Sequence, residues 1–170
     1  MKIDTTLIGD LAHPGTSAAD LEAMGYDGAY TFEGPHDPFF PIALAAQQTE
    51  WMKLCTAVAI AFARTPMLLA HIGWDLQSLS KGRFILGIGP QIRPHIERRF
   101  SMPWSKPASR MREMVLAIKA IWQNWAEGGR LDFQGDFYTH TLMTPMFSPG
   151  ATPYGNPKIH SAGAGATTTG

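Results

Sequence analysis

The run "YTFEGPHDPFFP", Tyr30 to Pro41, decides how this chain is read. A short apolar run, Gly28 to Phe32, ends in Glu33, a Gly-Pro turn, His36 and Asp37. A second turn follows, and then a helical pattern begins at Phe40. Such a segment is a β-strand whose C-terminal end delivers an acid and an imidazole into a loop. In a barrel of alternating strands and helices, that edge carries the chemistry.

Working outward, the alternation repeats. Upstream, Ile3 to Ile8 is β-prone, and Ser17 to Met24 reads as a helix with Thr16 or Ser17 as N-cap and Gly25 as its stop. Downstream, Phe40 to Gln48 is a second helix. Leu54 to Ala61 is a continuous apolar run, as expected for a parallel strand buried on both faces. Thr65-Pro66 opens a third helix running to about Leu79, and Arg83 to Ile88 is a fourth strand. From Ala108 to Trp125, Met111, Val115, Ile118, Trp122 and Trp125 recur at helical spacing and predict a core-facing stripe. About residues 128–157 the texture becomes irregular. "LDFQGDFYTH" predicts a hairpin turning at Gly135, and a Pro/Gly loop of the kind that often serves as a lid follows. Lys158 to Ala162 is the fifth strand. The fold class is therefore α/β, with a parallel sheet and right-handed crossovers. Five strands cannot close an eight-stranded barrel, so the expectation is one domain over 1–170 that is a truncated barrel.

Bulk properties narrow the function. The 170 residues suffice for a real core, burying roughly 70% of the unfolded chain's surface. Zero net charge and a pI near 7.0 argue against a nucleic-acid groove or a membrane-surface partner. Charged residues make up only 16%, against roughly 25% in ordinary soluble domains. The chain is either mostly interior or missing a surface that covers it. Self-association through an open barrel edge is expected on that ground. Cys55 is the single cysteine, so no internal disulfide forms, and its apolar surroundings suggest an inert thiol. Asp4 and Gly9 interrupt any signal-peptide core, and no apolar run reaches membrane-span length. The expected location is the cytoplasm.

Three strand ends taken together, "TFEGPHDPF", "TAVAIAFARTP" and "GRFILGIGPQIRPHIERRF", with "HTLMTPMFSPGATPYGNPKI" further on, resemble the luciferase-like monooxygenase family. The coenzyme F420-dependent branch is the nearest in pattern, and the resemblance covers nearly all of residues 1–165. It implies a (β/α)8 TIM barrel of about twice this length, binding a deazaflavin or flavin (coenzyme F420, alternatively FMN) at its C-terminal strand ends. It implies that His36 lies near the reactive ring as proton donor or acceptor toward a small organic substrate. It implies a strand-three bulge at Ala57 and Val58, often with a cis peptide, propping the ring. It implies that Gly89 lies where relatives bring backbone close to the cofactor. "SAGAG", with Ala162, Gly163, Ala164 and Gly165, matches the turn whose N–H groups hold the cofactor phosphate. Some relatives place a glutamate shortly after the equivalent of Gly89. Here Pro90, Gln91 and Ile92 stand instead, leaving Glu33 as the candidate acid.

Plainer readings compete with these. Glu33, His36 and Asp37 could be metal ligands of a barrel hydrolase, but no second cluster of comparable density accompanies them. Gly87-Ile88-Gly89 lacks the third glycine of a dinucleotide fingerprint. Arg64 could pair with a phosphate or a carboxylate. His71 and Asp75 would pair with each other, "RPHIERR" would be a solvated face, and Trp104, Trp122 and Trp125 would be packing residues. A half-barrel without turnover is the alternative from another class.

Overall fold

The computed structural model describes residues 1–7 and 17–162. β1 (Asp4–Thr6) leads to α1 (Ala18–Ala23), which starts on a capping box. There the Ser17 hydroxyl accepts the Asp20 N–H, and the Asp20 carboxylate accepts the Ser17 N–H. Thr16, the other candidate cap, lies outside the described residues. Gly25, at φ +88°, ends the turn after α1 in a conformation that favours glycine. β2 (Gly28–Thr31) and α2 (Phe39–Gln48) follow, then β3 (Lys53–Thr56) and β4 (Ala59–Ile60). A 3-10 turn at Ala61–Ala63 precedes α3 (Pro66–Leu79), whose N-cap Thr65 accepts the Leu68 N–H. β5 (Phe84–Gly89), α4 (Arg93–Arg98) and α5 (Pro107–Glu127) come next. The β6 (Phe133–Gln134) and β7 (Thr139–His140) hairpin and finally β8 (Lys158–Ser161) complete the order.

The main sheet is parallel, in the order β1, β2, β3, β5, with β8 on the far side of β5. The expected third strand is not continuous. Cys55 faces Ile85 and Ala59 faces Ile88, so the chain spends one extra residue opposite β5. Within this bulge the Ala57–Val58 peptide is cis. The basic run "RPHIERR" is a solvated face, as expected. It folds into the short α4, anchored by fully buried Ile96, and its charged side chains are exposed.

Helices α2 and α3 pack on the outer face of the sheet, and α5 packs on α3. Between α3 and α5 the fit is close: a Cβ on Gly73 would stand 2.7 Å from the Trp122 ring. The Trp122 indole donates to the Ala70 carbonyl at 2.9 Å. Trp125 packs edge-on against Trp74, and Trp104 packs edge-on against Phe62. All three tryptophans named from the sequence are thus packing residues. His71 does not pair with Asp75; its ring lies 4.8 Å from that of Trp125. Apolar contact with a large neighbouring ring displaces a weak one-turn ion pair.

The hairpin is held from α5. Glu113 accepts the N–H groups of Asp136, Phe137 and Tyr138 at 2.7–2.9 Å. Its carboxylate occupies the space that a Cβ on Gly135 would need, which explains glycine in that turn. Further on, the Tyr154 and Gly155 carbonyls accept from Gln77 of α3. Segment 128–157 is therefore fastened to the outer helices. Among the described residues no helix is long and apolar enough to cross a membrane.

Candidate functional site

Parallel pairing puts every strand's C-terminal tip on one rim. The tips of β4, β5 and β8, with the residues following β2, enclose a cavity of about 360 Å³. Val58 and Ile60 form one wall, and Gly89, Pro90, Gln91 and Ile92 another. Ala162, Phe32 and Glu33 complete it. Most of this lining is apolar. A side chain on Gly89 would enter it, since a Cβ there would lie 3.0 Å from Val58 Cγ2 and 3.6 Å from Ala162 Cβ.

Of the residues singled out from sequence, Glu33, Val58, Gly89 and Ala162 meet in this cavity. Ala57 faces the other way, into a second cavity of about 240 Å³ on the inner face of the sheet, beside Asp4, Cys55 and His160. His36 is exposed on the loop after β2, on the same rim but off the lining. Gly163, Ala164 and Gly165 lie outside the described residues. Segment 128–157 contributes none of the lining residues, so the structure does not make it a lid over this cavity. Phe32 and Ile60 were not singled out from sequence. Their positions at a strand end and beyond the bulge become meaningful only once the bulge is seen.

Glu33 is not free to act alone. Its Oε2 accepts from Arg64 Nη1 at 2.6 Å and from the Ile60 N–H at 2.7 Å. Arg64 Nη2 donates to Asp37 Oδ2 at 2.9 Å. Of the two partners foreseen for Arg64, the structure supplies carboxylates. Gln91 has φ +63°, uncommon for a residue with a side chain, and its Oε1 accepts the Ile92 N–H. With Glu33 neutralised by Arg64, the Gln91 carboxamide is the cavity's remaining polar side chain.

The clearly shifted titrating groups lie away from the cavity. Burial, reinforced by the Asp4 carboxylate, pushes the Cys55 thiol up to about 11, against a weaker opposing effect from the Gly87 N–H. Burial holds Arg83 below its usual range; its nitrogens donate to the carbonyls of Ala46, Thr49 and Met52 beneath the opposite rim. Burial also raises Tyr138, whose hydroxyl accepts from Arg110, and lowers His140. These are packing positions. Among the described residues no group of three His, Cys, Asp or Glu side chains is arranged to hold a metal ion.

A model of the luciferase-like monooxygenase family matches residues 4–169. An uncharacterised Mycobacterium tuberculosis protein, Rv1360, is 53% identical over 169 residues, covering 99% of this chain and 50% of its own length. The chain thus spans about half the length of the curated relatives it matches so fully. The oxygenating constituent of 3,6-diketocamphane monooxygenase from Pseudomonas putida, solved with FMN, superposes with a TM-score of 0.70 at 19% identity, over 85% of this chain and 44% of that one. The coenzyme F420-dependent tetrahydromethanopterin reductase of Methanopyrus kandleri superposes with a TM-score of 0.63, also at 19% identity, over 89% of this chain and 45% of its own. These likenesses fix the fold as the α/β barrel type.

Proposed function

The chain belongs to the luciferase-like monooxygenase family, and from that premise we propose that it supplies the ring-binding part of a deazaflavin- or flavin-dependent oxidoreductase. The observation that carries this is the cavity itself. Three strand tips converge on an apolar slot of about 360 Å³ whose floor, Gly89, has no side chain. A flat conjugated ring fits such a slot better than a polar metabolite does.

Val58 and Ile60 would hold one face of the ring, and Gly89 with Ala162 would let backbone approach it. The Gln91 carboxamide would offer a hydrogen bond at the edge. Coenzyme F420 is preferred because the strand-end motifs resemble that branch, with FMN as the alternative. When bound, either group supplies hydride transfer, and FMN in addition permits oxygen chemistry. The protein's own part is to orient a small organic substrate, exclude water and manage one proton. His36, an imidazole exposed on the same rim, is the group that would exchange that proton. Glu33, tied to Arg64, supports the loop instead of donating.

Titrating the purified chain with FMN and F420 separately, and following the fluorescence of each, tests the proposal. Saturable binding of one of them at micromolar concentration is expected, and binding of neither overturns it. A second reading, an assembling half-barrel without turnover, is favoured by the second cavity. That cavity leaves the inner face of the sheet, including half-buried Cys55 and Ile85, open to solvent.

A further inference from the structure

His36 sits on a loop that is fastened at almost every position except its own. The Thr31 hydroxyl donates to the Pro38 carbonyl at 2.8 Å, and the Glu33 N–H donates to the Val58 carbonyl at 3.3 Å. Arg99 donates to the Gly34 carbonyl at 2.8 Å. Asp37 Oδ1 accepts the Phe39 N–H at 2.8 Å, tying the loop to the first turn of α2. Pro35 has its φ fixed by its ring. His36, like Pro35 beside it, is exposed, and its side chain makes no hydrogen bond among the described residues.

At the centre of this arrangement is Arg64. It arrives from the turn after β4, the strand that walls the cavity. Nη1 reaches Glu33, three residues before His36, and also the Ile60 carbonyl at 3.1 Å. Nη2 reaches Asp37, one residue after His36. The guanidinium face lies 5.2 Å from the Phe39 ring centroid. The Arg64 and Glu33 side chains are only 14% and 6% exposed, so water screens this pair weakly. We propose that Arg64 is a positioning residue, bonding the two carboxylates that flank His36 so that the imidazole is presented at the mouth of the Val58–Gly89 cavity. The proposal rests on reading that cavity as the ring site.

The chemistry is specific to arginine. Two carboxylates on separate nitrogens of one rigid fork fix an angle as well as a distance, and a lysine ammonium cannot reproduce both. Removing the cation leaves two carboxylates facing each other across the loop, which drives it open. Arg83 shows what a purely structural arginine looks like in this molecule. It bonds carbonyls and a hydroxyl beneath the opposite rim and contacts no carboxylate.

The test compares the full chain with Arg64→Lys and Arg64→Met. A third variant combines Arg64→Met with Glu33→Gln and Asp37→Asn, so that unpaired charge does not prevent folding. The first readout needs no ligand: amide hydrogen exchange across residues 33–37. Exchange at least tenfold faster there, with α3 and β5 unchanged, is expected in both Met-bearing variants, and a smaller rise in Arg64→Lys. Unchanged exchange, or an equal rise throughout the molecule, overturns the proposal. The second readout is the His36 imidazole NMR signal during titration with FMN or F420. Arg64→Lys and Arg64→Met should bind within about threefold of wild type, because Arg64 is not a lining residue, while the ligand-induced shift at His36 falls to under a third. A full His36 shift in a folded Arg64→Met chain overturns the proposal. If wild type binds neither cofactor, the proposed function fails, and the exchange data still decide the fate of the Arg64 brace.

Discussion

Among the described glycines, Gly87 leaves the least room for a side chain. A Cβ there would collide with the Thr56 carbonyl oxygen, well inside van der Waals contact. Thr56 approaches because its hydroxyl donates to the Gly87 carbonyl at 2.7 Å and accepts the Gly87 N–H at 3.0 Å. This closeness sets the start of the bulge that walls the cavity. Neither partner is a flexible side-chain end, so Gly87→Ala should cost at least about 3 kcal/mol, the upper range for overpacking. Urea unfolding would measure it, and a loss under about 1 kcal/mol would show that the β3–β5 spacing is wrong. Gly89 differs, since the nearest atom there is a Val58 methyl. Gly89→Leu should weaken FMN or F420 binding more than tenfold while moving the urea midpoint little. Binding retained in that variant would place the ring elsewhere. Cys55 donates to the Thr56 carbonyl at 3.2 Å, and its thiol is pushed up to about 11. Against an ordinary thiol near 8.5, alkylation by iodoacetamide at pH 7.5 should be slower by about two orders of magnitude. The rate should climb tenfold per pH unit up to about pH 10. A rate within tenfold of free cysteine would contradict the assigned surroundings.

Elements were legible where the signal is local. Thr65-Pro66 announced α3, Gly25 announced the end of α1, and the stripe from Met111 to Trp125 announced α5. The bulge was not legible in the apolar run Leu54 to Ala61 itself. It depends on Thr56 meeting Gly87 and on Glu33 meeting the Ile60 N–H, partners 31 and 27 residues away. Family resemblance pointed to Ala57 and Val58, but only packing separates them, with Val58 facing the cavity at the strand tips and Ala57 the inner face. Glu22 of α1 is another long-range device that composition hides. Its carboxylate accepts the N–H groups of Glu50, Trp51 and Met52 at 2.7–3.1 Å, holding the entry to β3. Burial alone would raise its pKa, but the three N–H groups together with Arg83 outweigh burial and leave it lowered. A lowered folded-state pKa gives stability that is present above the unfolded value and lost as pH falls through the folded one. Glu22→Gln should therefore be less stable than wild type at pH 7 by about 1 kcal/mol, discounted for exposure. The gap should begin to narrow as pH falls through the unfolded carboxylate value, about 4.3–4.5, and close once pH is below the lowered folded value. A gap that does not narrow as pH falls would assign the effect to shape instead of charge.

At the scale of the whole molecule, the sheet has two unfinished sides. Among the described residues β1 pairs only with β2, and β8 only with β5. β8 is exposed at three of its four positions, whereas its neighbour β5 is buried at five of six. A parallel strand covered on both faces would not carry that pattern. The inner face next to it holds a cavity of about 240 Å³ lined by Tyr30, Cys55 and Ile85 among polar groups, instead of the filled interior of a closed barrel. Phe40, Leu44 and Leu68 add exposed apolar area on α2 and α3. Zero net charge removes the long-range repulsion that would keep copies apart. Edges of β1 and β8 that no described strand covers are the basis for proposing that this chain associates with itself. Sedimentation velocity between about 2 and 200 μM should show the weight-average mass rising with concentration, on the scale of micromolar dissociation constants. Dye binding to exposed apolar surface should fall over the same range as the inner face is covered. Saturating FMN or F420 should leave this association unchanged, because the cavity proposed to hold the ring opens at the strand tips and not along the edges of β1 or β8. A compact monomer at every concentration, binding no dye, would mean that the open edges are covered within the single chain. Association abolished by cofactor would mean that the two cavities are coupled.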